Sequence, residues 1–408
     1  MTTSRPRETA LQLRAERVIP GGMYGHNVRK FLWPDAPQFW ARASGYRIWD
    51  VDGNEYVDLM CSWGPIILGH HHPAVEEAVE RQRRQQDTAN GPGDVFVELA
   101  ELLVASVSHA HWCVLAKNGG DVTTLALTVA RAATGRSTVL VARGAYHGSL
   151  PWCSSRTAGV TPGDRAHIDY FDYNDLSSVQ AAAHRADGDL AAVILTPHKH
   201  DAGSDQEPVR PEFAKGLRTL CDTAGAALIL DEVRTGFRVA YGSSWQTMGI
   251  EPDLSCWSKA IANGYPISAL LGSEHLREAA KAVSIGGTFW TSAVPMAAAV
   301  ATLRTLRIED GPARMADTGQ QVVDGLRAAA EQHGVLVRLS GPACMPYLAF
   351  DDDTGYHKAK LWSAAMADGG VYVNPSHNWF ISTALDHVAV ERIVHAADTA
   401  FATVADAS

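Results

Sequence analysis

The sequence predicts an α/β protein built round a mostly parallel sheet. Three observations carry this. Short apolar runs alternate with amphipathic stretches through the middle of the 408-residue chain. The run AALIL at 226–230 is continuously apolar, as in a strand buried on both faces. The length exceeds what one small core usually supports and points to two domains.

Taken in order, the first fifty-nine residues end in FWARASGYRIWDVDGNEYVDL (39–59), read as a small sheet with a turn at Asp52-Gly53. Strands follow at TVLVAR (138–143), AAVILTP (191–197), ALILDEV (227–233), LSCWSK (254–259) and ISALLG (267–272). TTLALTVARAATG (123–135), PEFAKGLRTLCDTAG (211–225) and EHLREAAKAV (274–283) each carry one apolar stripe and are predicted helices. Beyond about 294 the pattern turns helix-rich. Long helices over 314–334 and 388–405 flank short strand-like segments at YLAF (347–350) and VYVNP (371–375). The expected division is an N-terminal segment 1–60 belonging to a small domain, a large domain 61–300 and a C-terminal small-domain part 301–408.

Composition narrows the function. A formal charge of −10 disfavours nucleic acid as a partner, because phosphate binding wants a basic surface. No run of about 18 apolar residues is present, so no membrane span is expected. The N-terminal stretch MTTSRPRETALQLRAERVIPGG lacks the apolar centre of a signal peptide. Six scattered cysteines without CxxC spacing read as reduced thiols. Together these give a cytoplasmic expectation. GHHHP at 69–73 lacks carboxylates or cysteines at ligand spacing, and no metal site is expected.

The chemistry concentrates at one strand end. Asp231 and Glu232 directly follow the buried run, where open parallel sheets place their ligands. Lys259, 28 residues on (259 − 231), ends the next strand in CWSKAIANGYP. A buried lysine near a buried carboxylate has two readings. One is a structural ion pair. The other is a Schiff-base lysine with an acid that keeps a cofactor ring nitrogen protonated, since an opposite charge favours the protonated form. Gly119 and Gly120 stand at the start of a helix, where backbone N–H groups and the helix dipole suit a phosphate, although a plain strand-to-helix turn looks the same. No GxGxxG occurs, which argues against a nicotinamide enzyme.

With those residues in view the sequence resembles the class III, fold-type I aminotransferases that use pyridoxal phosphate, and within them the glutamate-1-semialdehyde aminomutase subgroup. The resemblance rests on VIPGG (18–22), VRKF (28–31), CSWGPIILGHHHP (61–73), AYHG (145–148), LILDEVRTGFRVA (228–240), SKAIANGYPISALLG (258–272), GGTFWTSAVPMAAA (286–299) and GVYVNPS (370–376). It implies a large domain with a mostly parallel seven-stranded sheet, and a small α+β domain from both chain ends. It also implies that Lys259 forms the Schiff base and moves the proton, with pyridoxamine phosphate formed in the cycle. Asp231 would pair with the pyridine nitrogen, Tyr146 would stack on the ring beside His147, and Val233 would pack on the other face. Gly119 and Gly120 would hold the phosphate. Gly287 and Thr288 would reach the phosphate of a neighbouring subunit, making a homodimer with shared active sites.

The departures bear on substrate. Asn118 is followed by Gly119, Gly120 and Asp121, where the family usually has Ser-Gly-Thr-Glu. An aspartate there would repel a phosphate unless it turns away, so Asp121 is read as an N-cap. The family's Glu-Pro strand end becomes LTPHKHDAG (195–203), introducing His198, His200 and Asp201. Arg29 matches the arginine that holds a substrate carboxylate in the aminomutase subgroup, but the acid-bearing segment near it is replaced by NPSHNWF (374–380) with His377. The segment after Tyr146 looks shorter than an aminomutase gating loop, which favours release of a keto product. Trp33, Trp63, His198, His200, Asp201, His377 and Trp379 are the candidate pocket. Such groups suit a hydroxyl-bearing secondary-metabolite amine, such as an amino sugar, cyclitol or aminoglycoside. Transamination is the leading reading. An epimerase or 1,2-aminomutase acting on the same amine, or on an amino acid held by Arg29, uses the same Lys259 and Asp231. A non-catalytic pyridoxal-fold scaffold is the third.

Overall fold

The structure is a computed structural model describing residues 5–200 and 203–407. It divides into two compact units. Among the described residues one comprises 5–72, 203–205 and 313–407, and the other takes the chain between them, 73–200 and 206–312. The main boundaries therefore fall at 72 and 312, each twelve residues later than the sequence reading places them (72 − 60 and 312 − 300). At the second boundary the reason is visible. Helix Ala293–Ile308 buries Ala293, Met296, Ala298, Ala299, Leu303 and Leu306, and it packs on helix Pro73–Gln85 of the larger unit.

The larger unit holds a seven-stranded sheet. In chain order its strands are β1 (Trp112–Ala116), β2 (Thr138–Ala142), β3 (Ile168–Phe171), β4 (Leu190–Leu195), β5 (Ala227–Asp231), β6 (Leu254–Trp257) and β7 (Ser268–Gly272). Their spatial order is β1-β7-β6-β5-β4-β2-β3. All neighbours run parallel except β7, which is antiparallel to both β6 and β1. The two strands that the apolar runs do not announce, β1 and β3, are the sheet's edges.

The continuous apolarity of β5 has a direct cause. Ala227 and Ile229 belong to the core against helix α1 (Gly119–Thr134), with Val122, Ala126 and Val129. Leu228 and Leu230 belong to the opposite core, with Phe213 and Leu217 of helix α2 (Pro211–Ala224). Successive side chains alternate faces, so a strand covered on both sides must be apolar at every position.

In the smaller unit, strands Trp40–Ser44, Arg47–Asp50 and Glu55–Asp58 form an antiparallel meander, joined in parallel by Val371–Tyr372 from the other chain end. The predicted turn is present. Gly53 has φ +93°, its N–H donates to Asp50 O, and the Asn54 N–H donates to Asp50 Oδ1 at 2.8 Å. Among the described residues no helix is long and apolar enough to cross a membrane.

Candidate active site

The parity that fills both cores also separates the two acids. Asp231 continues the face of Ala227 and Ile229, towards α1, and Glu232 continues the other. Glu232 is spent on structure. Its Oε1 accepts from Ser243 Oγ (2.9 Å) and Ser244 N (2.6 Å), and its Oε2 from Thr235 Oγ1 (2.5 Å) and Ser244 Oγ (2.7 Å). Burial pushes its carboxyl up, and the four donors oppose that. It anchors the loop that leaves β5.

Asp231 is buried, and its carboxylate is held by His147 and by the loop that follows β5. Its Oδ2 lies 2.7 Å from His147 Nδ1, and its Oδ1 accepts from Val233 N at 3.0 Å. His147 is held in turn. Its carbonyl accepts from Thr123 Oγ1 at 2.8 Å, and its ring stacks on Trp152 with centroids 6.2 Å apart and planes at 14°. The second ring nitrogen, Nε2, is buried without a hydrogen-bond partner. An Nδ1–H donated to Oδ2 would fix the orientation of the carboxylate and leave it acceptor capacity for a further donor.

Asp231 connects to the start of α1 through one residue. A Cβ placed on Gly119 would lie 3.1 Å from Val233 Cγ1, and one on Gly148 (φ +128°) would lie 3.1 Å from the Gly120 Cα. Glycine at 119 and 148 is what lets these backbones close around the helix N-terminus, whose first N–H groups have no partners inside the helix. Asp121 is turned out of this cradle. Its Oδ2 accepts from Asn118 N at 2.8 Å and from Lys117 N at 3.3 Å. It caps from the third helical position, reaching back to Asn118, which is the N-cap residue itself. Sequence reasoning has the capping and misplaces it.

Lys259 follows β6, which pairs with β5 so that Asp231 faces Cys256 across the ladder. Its backbone is left-handed, φ +48°, a conformation that L side chains avoid and that clusters at functional sites. Burial lowers its amine to about 7. Arg234 and Arg238 push the same way, and Asp231 opposes them. Near pH 7 about half of such an amine is neutral, the form that can attack a carbonyl or take a proton. Tyr146 is half-exposed. Burial raises its hydroxyl, and it feels Cys153, Arg234 and Asp231. These side chains therefore form one electrostatic cluster, so the structure brings Lys259, Asp231, Val233, Gly119, Gly120, Tyr146 and His147 together within the larger unit.

The sequence model for class III aminotransferases matches residues 34–398. The chain is a class III aminotransferase. It is 48% identical over 98% of its length, and 94% of the relative's, to an aminopentol aminotransferase of Sphingopyxis macrogoltabida. It is 34% identical, over 98% of both chains, to a glutamate-1-semialdehyde 2,1-aminomutase of Chloroflexus aurantiacus. A solved structure of the Sphingopyxis sp. MTA144 FumI protein, in its PLP internal aldimine form, superposes with a TM-score of 0.96 at 48% identity, covering 98% of this chain and 96% of that one. The fold is thus that of the fold-type I pyridoxal-phosphate transferases, as the sequence motifs imply.

Pyridoxal phosphate is the cofactor of this family, and the residues fit it. The buried, acceptor-rich Asp231 suits a protonated ring nitrogen, and the glycine-walled helix N-terminus suits the phosphate.

The remaining candidates are placed as follows. His198 lies beyond β4, and its Nδ1 is buried without a partner. Burial lowers its imidazole to about 4. Asp201 lies outside the described residues. Gly287 and Thr288 sit in the exposed run 284–289, with Ile285 and Phe289 also exposed.

In the smaller unit, Arg29 Nη1 donates to Pro34 O and Ala36 O, both at 2.8 Å, and Nη2 is 3.8 Å from Glu8. His377 is buried, with Nδ1 2.7 Å from Asn378 O and its ring against Trp63. Trp33 and Trp379 are core residues, not lining. Each is nearly inaccessible, and Trp379 stacks on Trp362 at 5.4 Å.

Sequence reasoning missed three participants. Lys117 Nζ donates to Ser292 Oγ at 2.8 Å and ties the strand before α1 to the segment after Thr288. Arg234 and Arg238 bear on Lys259, and only their place just after Asp231 could have signalled them.

Proposed function

We propose that this aminotransferase moves an amino group between a polyhydroxylated secondary-metabolite amine and a keto acid, with Lys259 as the Schiff-base residue. The observation that carries the chemistry is the juxtaposition of a left-handed lysine with a lowered pKa and a buried, histidine-held aspartate at the ends of two paired strands.

When bound, pyridoxal phosphate supplies an electron sink that makes the amine-bearing carbon acidic. The protein does the rest. Asp231, oriented by His147 and Val233 N, holds the ring nitrogen's proton. Gly119 and Gly120 bind the phosphate through backbone N–H groups. Tyr146 and Val233 confine the ring. Lys259 Nζ takes the proton from the substrate carbon and returns it. A second copy of the chain is proposed to face the exposed 284–289 run, bringing Gly287 and Thr288 to the partner's phosphate.

The aminopentol relative at 48% identity favours an open-chain aminopolyol within the polyhydroxylated class that includes amino sugars. The engagement of Arg29 with two carbonyls and Glu8 favours an amine that needs no carboxylate clamp. The aminomutase relative keeps an isomerase as the second reading.

The test is a half-reaction. The cofactor-loaded protein is mixed in heavy water with aminopolyols, amino sugars, alanine and glutamate. Formation of pyridoxamine phosphate with an equivalent of carbonyl product supports transamination. Deuterium entering the amine-bearing carbon without net carbonyl product would replace it with epimerisation, and a rearranged amine with a mutase.

A further inference from the structure

Two residues before α1 stands a lysine that the cofactor chemistry above leaves unused. Lys117 joins β1 to Asn118, the N-cap of α1, and its backbone N–H donates to Asp121 Oδ2 at 3.3 Å. The lysine is thus part of the turn that sets the Gly119 and Gly120 N–H groups. Its side chain reaches elsewhere in the larger unit, where Nζ donates to Ser292 Oγ at 2.8 Å.

Ser292 is available for this bond because another residue performs its ordinary task. It is the N-cap of helix α3 (Ala293–Ile308), a place where a serine hydroxyl usually accepts from the first N–H groups of the helix. Here the hydroxyl makes no such bond. Asp87 caps the helix instead, with Oδ1 accepting from Val294 N at 3.0 Å and the carbonyl from Ala293 N at 3.1 Å. The Ser292 hydroxyl accepts from Lys117 and donates to Phe289 O at 3.1 Å. This chain of bonds fixes the turn before α1 to the end of the 284–289 run, which carries Gly287 and Thr288.

The place is a poor one for a cation. Burial lowers the Lys117 amine, and the charge of Asp87 opposes that. The amine is bonded to the residue that begins α3 and belongs to the turn that begins α1. Helix N-termini carry partial positive charge, which disfavours a cation beside them. A dianion at the start of α1 would offset that cost, and pyridoxal phosphate brings one.

We infer that Lys117 and Ser292 are positioning residues for the cofactor phosphate. Their hydrogen bond clasps the turn before α1 to the 284–292 segment and holds the Gly119 and Gly120 N–H groups where the phosphate meets them. The inference rests on the reading above that places the phosphate at Gly119 and Gly120.

The test compares pyridoxal phosphate with pyridoxal, which has a hydroxyl in place of the phosphate. Each is measured by equilibrium dialysis against the cofactor-free protein. The wild type is expected to bind the phosphorylated form about a hundredfold or more tightly. Lys117→Met removes the donor and Ser292→Ala the acceptor. Each is expected to weaken pyridoxal phosphate about tenfold and to change pyridoxal about twofold or less, because the lost bond acts through the phosphate cradle. The double variant should fall no further than the weaker single variant, since both lose the same contact. Cofactor-free Ser292→Ala should melt close to the wild type, because Asp87 keeps the cap.

Variants that bind pyridoxal phosphate as the wild type does overturn the inference. Variants that weaken both ligands alike reduce the pair to a packing contact and overturn it too. A loss in Lys117→Met with none in Ser292→Ala overturns the clasp and leaves the lysine acting as a bare charge. A wild type that binds pyridoxal as tightly as pyridoxal phosphate defeats the phosphate reading itself, and this inference with it.

Discussion

Lys259 offers the sharpest quantitative prediction. Its amine titrates near 7 against an ordinary 10.5. At pH 7 the neutral fraction is then about one half, where an ordinary lysine has roughly one in three thousand. Amine-directed acylation of the cofactor-free protein, followed by peptide mass spectrometry, reads that fraction for each lysine. The Lys259 peptide is expected to label with a midpoint near pH 7. The neighbours set the sign of the next step. Asp231 favours the charged amine, so Asp231→Asn should move the midpoint down. Arg234 disfavours it, so Arg234→Gln should move the midpoint up. Folding is linked to the same proton. Between about 7 and 10.5 the unfolded chain binds more protons at this lysine than the folded one, so the Lys259 contribution makes stability rise with pH across that window. Lys259→Met should remove that part of the slope. A Lys259 midpoint above 9, or Asp231→Asn and Arg234→Gln moving it in the same direction, would refute the electrostatic account.

Three further outcomes follow from packing and hydrogen bonding. Gly119→Ala sets a methyl 3.1 Å from Val233 beside the helix N-terminus, and equilibrium dialysis should show pyridoxal phosphate binding weakened about tenfold or more with little change in melting temperature. Glu232→Gln turns an acceptor of four donors into a group with two donors of its own, and chemical denaturation should show a loss of about 2–4 kcal/mol. Arg29→Met releases the carbonyls of Pro34 and Ala36 and leaves Glu8 without that cation. It should cost about 1–3 kcal/mol while transamination of an amine lacking a carboxylate continues, whereas selective loss of turnover would return Arg29 to the substrate.

How much of this was legible in the sequence depended on how local the cause was. The five strands announced by apolar runs are central or next to the edge, and each is saturated with apolar residues because both faces are covered. The edge strands Trp112–Ala116 and Ile168–Phe171 carry partly exposed positions, so their pattern is diluted. Asp231, Lys259, Gly119 and Gly120 could be read because strand ends and a glycine-opened helix have fixed chemical consequences. For Asp121 the sequence indicates the task and misplaces the position, since a capping box and an N-cap aspartate differ by three residues and look alike in sequence. Trp33 and Trp379 are core residues that sequence cannot tell from pocket lining, because a tryptophan suits both. The engagement of Arg29 by Glu8 and two carbonyls joins residues up to 28 positions apart (36 − 8), and periodicity carries no sign of it.

The same consideration explains why a buried strand ends in two acids. A strand covered on both faces delivers consecutive side chains to opposite sides of the sheet, and at its carboxyl end that alternation persists for one more pair. Asp231 falls on the face of α1, beside the helix N-terminus and next to Lys259's strand. Glu232 falls on the other, where it meets Thr235, Ser243 and Ser244 and fixes the loop carrying Arg234 and Arg238. Those arginines lower the lysine's pKa and Asp231 raises it. One acid therefore acts on the lysine by its own charge. The other acts at one remove, by holding the loop from which the opposing charges come. Exchanging the two residues would keep the composition and the strand and should destroy both effects. An Asp231→Glu/Glu232→Asp double variant tests this, because it should lose cofactor binding and stability together, where a mere requirement for two carboxylates would leave both nearly intact.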